Sequence, residues 1–261
     1  MPTRLEPDAK FGRPAFRRQG LLATWAYRTR VGILLGLFVF AMIENSRHPF
    51  PLWAGILRFF DVKMADITSN DRHLALLLPV GLYGASLLLR LSATAALGSR
   101  TVWSSRPATG GLVEDGLFSC VRHPLYVGSA GMILSLSLMS SLAGAVILVG
   151  GGIPFLAFLA RHEEAELLRN LPGYADYRKR VPAFFPVPGS GCRLRQAIAG
   201  PLRENIGRGL RSEAANVGLL GGFLSFWATP NILLFWIAFL LALAFALTAP
   251  IWIPGRSGGV R

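Results

Sequence analysis

The sequence predicts an all-α, polytopic transmembrane protein with interfacial helices, and three observations carry that expectation. Of its 261 residues, 52% are hydrophobic and only 16% are charged, where a soluble domain carries roughly 25% charged residues. The mean hydropathy is +0.45, and several apolar runs approach the ~20 residues that cross a bilayer as helix. Those runs are rich in Leu, Ala and Gly and show no period-two alternation. Backbone groups in lipid must be satisfied within the segment, so helices are expected rather than barrel strands.

Charge points to the partner. Lys and Arg number 27 against 14 Asp and Glu, for a formal +13. The basic residues flank apolar segments and no nucleic-acid recognition motif accompanies them. Membrane lipids are therefore the expected partner, and nucleic acid is not. Cys120 and Cys192 form no framework and lack metal-ligand spacing, so neither a disulfide nor a zinc site is expected.

Taken in order, residues 1–30 are a basic tail, and the apolar run after it lacks a signal-peptidase pattern, so retention as an anchor is expected. The first span covers 31–43, starting as early as Leu21 if Arg28 and Arg30 face protein or snorkel. Residues 45–71 form a mixed loop with a first Arg-His-Pro at 47–49 and "LWAGILRFF", which suits an interfacial helix with aromatic anchors. The second span is 74–97, interrupted by Arg90. A polar, Gly/Pro-rich stretch follows at 101–122. Residues 124–159 hold two helices turning at "MSSLAG" (139–144). Residues 161–213 are again basic, and 216–253 read as a hydrophobic hairpin broken at "TPN" (229–231). The chain thus divides into a tail (1–30), a first span with its loop (31–73), a membrane core (74–186), a basic linker (187–215) and a C-terminal hairpin (216–261). Excess Arg on the tail and on 161–211 places both in the cytoplasm. The expected setting is a bacterial inner membrane with the N-terminus inside.

Two polar clusters stand where apolar segments meet that face. At Arg122-His123-Pro124 a helix opens, with proline suited to the first turn. His123 and Tyr126 lie three apart and share a face once the helix includes His123. The preceding "GGLVEDGLF" (110–118) has glycines for tight turns, and its free amides can receive a polar ligand. These residues also fit a plain interfacial anchor. The second cluster, "RHEEAELL" (161–168), puts Glu163 and Glu164 directly after some twenty apolar residues, where a carboxylate is costly. A solvated helix end paired with Arg161 and Arg169 is the simpler alternative. Because 124–159 is a hairpin, residues 122–126 and 161–164 emerge side by side and converge on one pocket at the cytoplasmic face. Downstream, "LPGYADYRKRVPAFFP" (171–186) gives a surface helix or a lid, with Tyr174 and Tyr177 on one side.

In this order and spacing, "GLVEDGLFSCVRHPLYVG", "RHEEAELL" and "LPGYADYRKRVPAFFP" resemble the isoprenylcysteine carboxyl methyltransferase-like family, over about 74–186. The family is similar to the phospholipid N-methyltransferases. The resemblance implies an S-adenosylmethionine-dependent methyltransferase acting on a lipophilic or prenylated acceptor. Carried over by position, cofactor contacts fall on Gly110, Gly111, Leu112, Val113 and Phe118, then on His123, Pro124, Leu125 and Tyr126, and on Glu163 with Glu164. His123 and Tyr126 would shape the pocket or take a proton, and Arg122 or Arg161 would orient an anionic acceptor. Three positions depart from the family pattern: Gly110 for a histidine, Phe118 for a tyrosine, and Leu159 for an arginine. Membrane sterol-type reductases using a nicotinamide cofactor, and a non-enzymatic helical membrane protein, are the alternatives. The first Arg-His-Pro reads as an anchor on the opposite side.

Overall fold

The computed structural model describes residues 25–47, 51–52, 54–55, 69–97, 112–187 and 192–229, with scattered helical positions between 233 and 244. Among the described residues the regular elements are helices, joined by one isolated bridge between Pro51 and Ser141. Helix α1 is Arg30–Arg47 and α2 is Ser69–Leu97. A 3-10 turn at Gly116–Ser119 leads into α3, Pro124–Met139. A short α4, Leu142–Ile147, passes through a π-helical turn at Leu148–Gly152 into α5, Ile153–Asn170. Then come α6, Tyr174–Arg180, α7, Leu194–Ser212, and α8, Ala214–Ala228.

Two continuous helical stretches, His73–Leu97 and Leu142–Asn170, are long and apolar enough to cross a membrane, and Pro124–Met139 and Ala214–Ala228 are shorter apolar helices. Their outward faces are apolar, with Leu74, Leu77, Leu142 and Val146 exposed. The inward faces meet in clusters. Leu76, Tyr83 and Leu87 of α2 pack with Met132 of α3 and with Leu219 and Phe223 of α8. Ala41 of α1 packs with Ile133 of α3 and with Leu156 and Leu159 of α5.

Helices α2 and α3 meet in a close seam. Gly128 and Gly131 let the backbone of α3 lie against Ser86 and Arg90 of α2. One turn further, Ser135 Oγ donates to the Pro79 carbonyl oxygen at 2.7 Å. Small residues bring helices close enough for packing and side-chain hydrogen bonds to hold them where lipid supplies no hydrophobic drive.

The hairpin turn falls at Ser140–Ser141, inside the expected segment, with Ser141 capping α4 by accepting from the Gly144 N–H. Asn45 of α1 accepts from the Ser141 N–H at 2.9 Å, and the Leu52 N–H donates to the Ser140 carbonyl oxygen. Of the first Arg-His-Pro, Arg47 closes α1, while residues 48–50 lie outside the described residues. Its described neighbours sit at the turn end of α3, a helix of 16 residues, and so about 24 Å from His123 at 1.5 Å per residue. The interfacial reading of "LWAGILRFF", the tail up to Thr24 and most of the C-terminal hairpin also fall outside the described residues.

Two expectations need correction. Cys120 and Cys192 form a disulfide across 72 residues. A pairing that distant has no spacing signature, which is why the sequence gives no sign of it. The stretch read as a basic linker contains α7, whose Ala197 and Ile198 pack on Ala93, Leu117 and Cys120. Ser92 Oγ of α2 donates to the Ala197 carbonyl oxygen, and Gly209 brings α7 against the Leu91 backbone.

Candidate small-molecule pocket

The feet of the α3–α5 hairpin enclose a cavity of about 430 Å³. Its wall before α3 is built from Leu112, Val113 and Phe118, and α3 itself contributes Pro124, Leu125 and Tyr126, with Arg122 and His123 just ahead. Glu163 and Leu167 come from α5, and Leu171, Tyr174 and Tyr177 close the far side. Tyr27, Arg30, Arg90 and Leu97 complete it. The structure thus brings eight sequence-singled positions (Leu112, Val113, Phe118, His123, Pro124, Leu125, Tyr126 and Glu163) into one space, together with Arg122. Gly110 and Gly111 lie outside the described residues. Arg161 is exposed and Glu164 does not line the cavity. Leu159, at the position of the family's arginine, is fully buried in the α1–α3–α5 cluster.

The two adjacent glutamates have separate jobs because successive helical residues point about 100° apart. Glu163 faces the cavity, which Tyr126 also lines. Glu164 turns into the protein. Its Oε1 receives Arg122 Nη2 at 2.8 Å and lies 3.0 Å from His123 Nε2, while Oε2 meets Arg178 Nε at 3.3 Å. A carboxylate only accepts, so His123 carries a proton on Nε2. Arg122 Nη1 donates to the Arg178 and Val181 carbonyl oxygens, and the Arg122 and His123 amides donate to Pro182 and Ala183. Glu164 and Arg122 therefore staple the 178–183 segment to the foot of α3. Replacing Glu164 by alanine leaves a nearly buried Arg122 and His123 without their shared acceptor. The expected cost is about 2–3 kcal/mol, read as a lower melting temperature of the detergent-solubilised protein.

The α6 segment is placed by its glycine. Gly173 adopts φ 82°, a left-handed conformation that side chains disfavour, and it turns the chain so that Tyr174 and Tyr177 point inward. Both are buried, and Tyr177 donates to the Phe118 carbonyl oxygen at 2.8 Å. Burial, and then the Glu164 carboxylate, push the Tyr174 phenol up to about 12, so it is neutral at physiological pH. Rather than facing lipid headgroups, these tyrosines wall the cavity.

Sequence reasoning missed Tyr27, Arg30, Arg90 and Glu213. The Arg30 guanidinium stands 4.2 Å from the Tyr27 ring centre. Arg90 is gripped by Glu213, with Nε to Oε2 and Nη2 to Oε1 both at 2.8 Å, while Nη1 donates to Ser129 Oγ and to the Leu125 carbonyl oxygen. Asn216 donates to Glu213 and lies within hydrogen-bonding distance of the Tyr83 hydroxyl. Arg90 inside an otherwise apolar helix was the available signal, since a charge taken out of water needs a partner. Arg90 and Arg122 are each paired with a carboxylate outside the cavity, while Glu163 and Arg30 also line it. Among the described residues, no group of three or more His, Cys, Asp or Glu is placed to hold a metal ion.

The chain is similar to two curated bacterial proteins. It is 33% identical over 147 residues to the nickel-cobalt-cadmium resistance protein NccN of Alcaligenes xylosoxydans xylosoxydans, covering 54% of this chain and 66% of that one. It is 36% identical over 112 residues to the cobalt-zinc-cadmium resistance protein CzcN of Cupriavidus metallidurans, covering 42% and 50%. The matches span between half and just under two thirds of those relatives' own lengths. No family model matches the chain, and no solved structure matches it. These relatives are named for metal resistance and not as isoprenylcysteine methyltransferases. That finding overturns the family assignment, and with it the expectation of an S-adenosylmethionine-dependent methyltransferase enzyme. The motifs behind the resemblance are short, and what they encode is a helix hairpin with polar feet, an arrangement that does not by itself specify a reaction.

Proposed function

We propose that this protein is a polytopic membrane component of resistance to divalent transition-metal ions, acting through a small-molecule pocket rather than by ligating the ions itself. The observation that carries the reading is the cavity between the hairpin feet, with a carboxylate, three arginines and several aromatic rings. Such a lining suits a zwitterionic organic ligand. A cationic end meets Glu163 and the tyrosine faces, and an anionic end meets Arg30. A cavity whose wall carries Arg30, Arg90 and Arg122 is a poor host for a bare divalent cation. The names of the relatives supply the physiological setting.

S-adenosylmethionine is the first ligand to test. It is zwitterionic with an additional sulfonium, and its adenine suits the apolar wall at Leu112, Val113 and Leu125. Glu163 and Tyr126 would hold its cationic groups and Arg30 its carboxylate. Membrane lipids are the proposed surroundings, in a bacterial inner membrane with the basic face and the N-terminus in the cytoplasm, as the distribution of Arg supports.

Glu163→Gln removes the charge while keeping the shape. Expressed in a metal-sensitive bacterium, the wild-type chain is expected to raise tolerance to cobalt, nickel, zinc or cadmium, and the variant to lose that gain at equal membrane abundance. Calorimetric titration of the purified protein with S-adenosylmethionine should show affinity weakened by about tenfold or more in the variant. Unaltered tolerance and unaltered affinity would together remove the pocket from the function.

A further inference from the structure

We infer that Cys120–Cys192 is a reversible thiol–disulfide site that sets the rigidity of one pocket wall; its effect on ligand affinity rests on the pocket reading above. The disulfide joins the residue after the 3-10 turn to the segment entering α7. Cys120 is two residues from Phe118 and three from His123, both of which line the cavity. On its other side this wall is tied by hydrogen bonds, Tyr177 to Phe118 and the Arg122 and His123 amides to 182–183. Toward α7 the tie is the disulfide together with apolar packing of Leu117, Phe118 and Ala197 and the contact of Gly116 with Pro201.

The surroundings make such a bond exchangeable. Excess Arg places this face in the cytoplasm, a reducing compartment where disulfides are chiefly transient or redox-sensing. Cys120 is buried, but Cys192 is only partly so, and attack comes through the accessible sulfur. A cellular dithiol attacks Cys192 Sγ, and Cys120 leaves as a thiolate that takes up a proton. The second thiol of the reductant then closes its own disulfide and releases Cys192 as a thiol. Two electrons pass to the protein and the dithiol is oxidised. The covalent tie between the 3-10 turn and the segment entering α7 is thereby opened, and apolar packing is left to hold the wall on that side.

The test compares oxidised and dithiothreitol-reduced protein in lipid nanodiscs by hydrogen–deuterium exchange, with S-adenosylmethionine titrated into both. Reduction is expected to speed exchange across residues 117–123 about tenfold or more, while α3 beyond its first turn is unchanged. Cys192→Ser should show the fast exchange without reductant and ignore dithiothreitol. In growing cells, acid quenching followed by maleimide labelling should trap a reduced fraction that falls under a thiol oxidant. Equal exchange in both states, or a pair that stays fully oxidised in cells, would overturn the inference. Redox-dependent exchange without S-adenosylmethionine binding in either state would uphold the clip and reject that ligand.

Discussion

Replacing Glu213 by alanine is expected to cost about 3–5 kcal/mol, because it strands a buried guanidinium. The Glu213 side chain is 0% exposed and binds Arg90 through two parallel hydrogen bonds. Its removal takes away the counter-charge and the Asn216 contact together, leaving Arg90 only Ser129 and a backbone carbonyl. The shape-preserving variant Glu213→Gln should lose less, since one acceptor oxygen survives. The double variant Arg90→Met/Glu213→Leu should recover much of the loss, because two apolar side chains ask nothing of each other electrostatically. Thermal unfolding in detergent across the four corners of that cycle measures the coupling. Additive losses would mean that the pair does not act as a unit.

The second large effect is expected at the α2–α3 seam. Leucine at Gly131 must occupy space held by Ser86, whose side chain would overlap even the first added carbon. At Gly128 that carbon would lie 2.5 Å from Arg90 Cγ and 2.9 Å from the Ser86 carbonyl oxygen. Neither helix can retreat cheaply, since Ser135 pins α3 to Pro79 one turn away. Overpacking of this kind costs about 1–3 kcal/mol or more, and Gly131→Leu should fall at or beyond the upper end because backbone separation must change. Gly84→Ala in α2 is the control, with open space around it. The measurement is membrane abundance together with melting temperature. A Gly131→Leu protein as stable as Gly84→Ala would refute the close seam.

How much of this was legible beforehand varies residue by residue. The meeting of Tyr126 with Glu163 followed from hairpin topology alone, since two polar runs flanking one apolar pair must emerge together. The division of labour between Glu163 and Glu164 follows from helical phase, but which of the two faces the cavity depends on packing that the sequence does not display. Arg90 announced a need for a partner without naming it, because Glu213 lies 123 residues away and any of several acidic residues would have satisfied the same argument. The basic composition of 187–215 concealed a packed helix: Arg195, Arg203 and Arg211 are exposed, while Ala197, Ile198 and Gly209 make the packed side. The family resemblance failed for a different reason. It read chemistry from short motifs that form a helix hairpin with polar feet, and such an arrangement does not by itself specify a reaction.

The π-helical turn at Leu148–Gly152 has a bearing on how this hairpin tolerates change in length. A wide turn is one surplus residue looped out of an otherwise regular ladder. Trimming a single glycine there would let the ladder close as ordinary helix and leave Glu163 aimed as before. The same deletion anywhere between the turn and Glu163 would swing that carboxylate by about 100°, off the cavity and into its neighbours. The hairpin thus carries its own slack, stored upstream of the one acidic group whose bearing matters most.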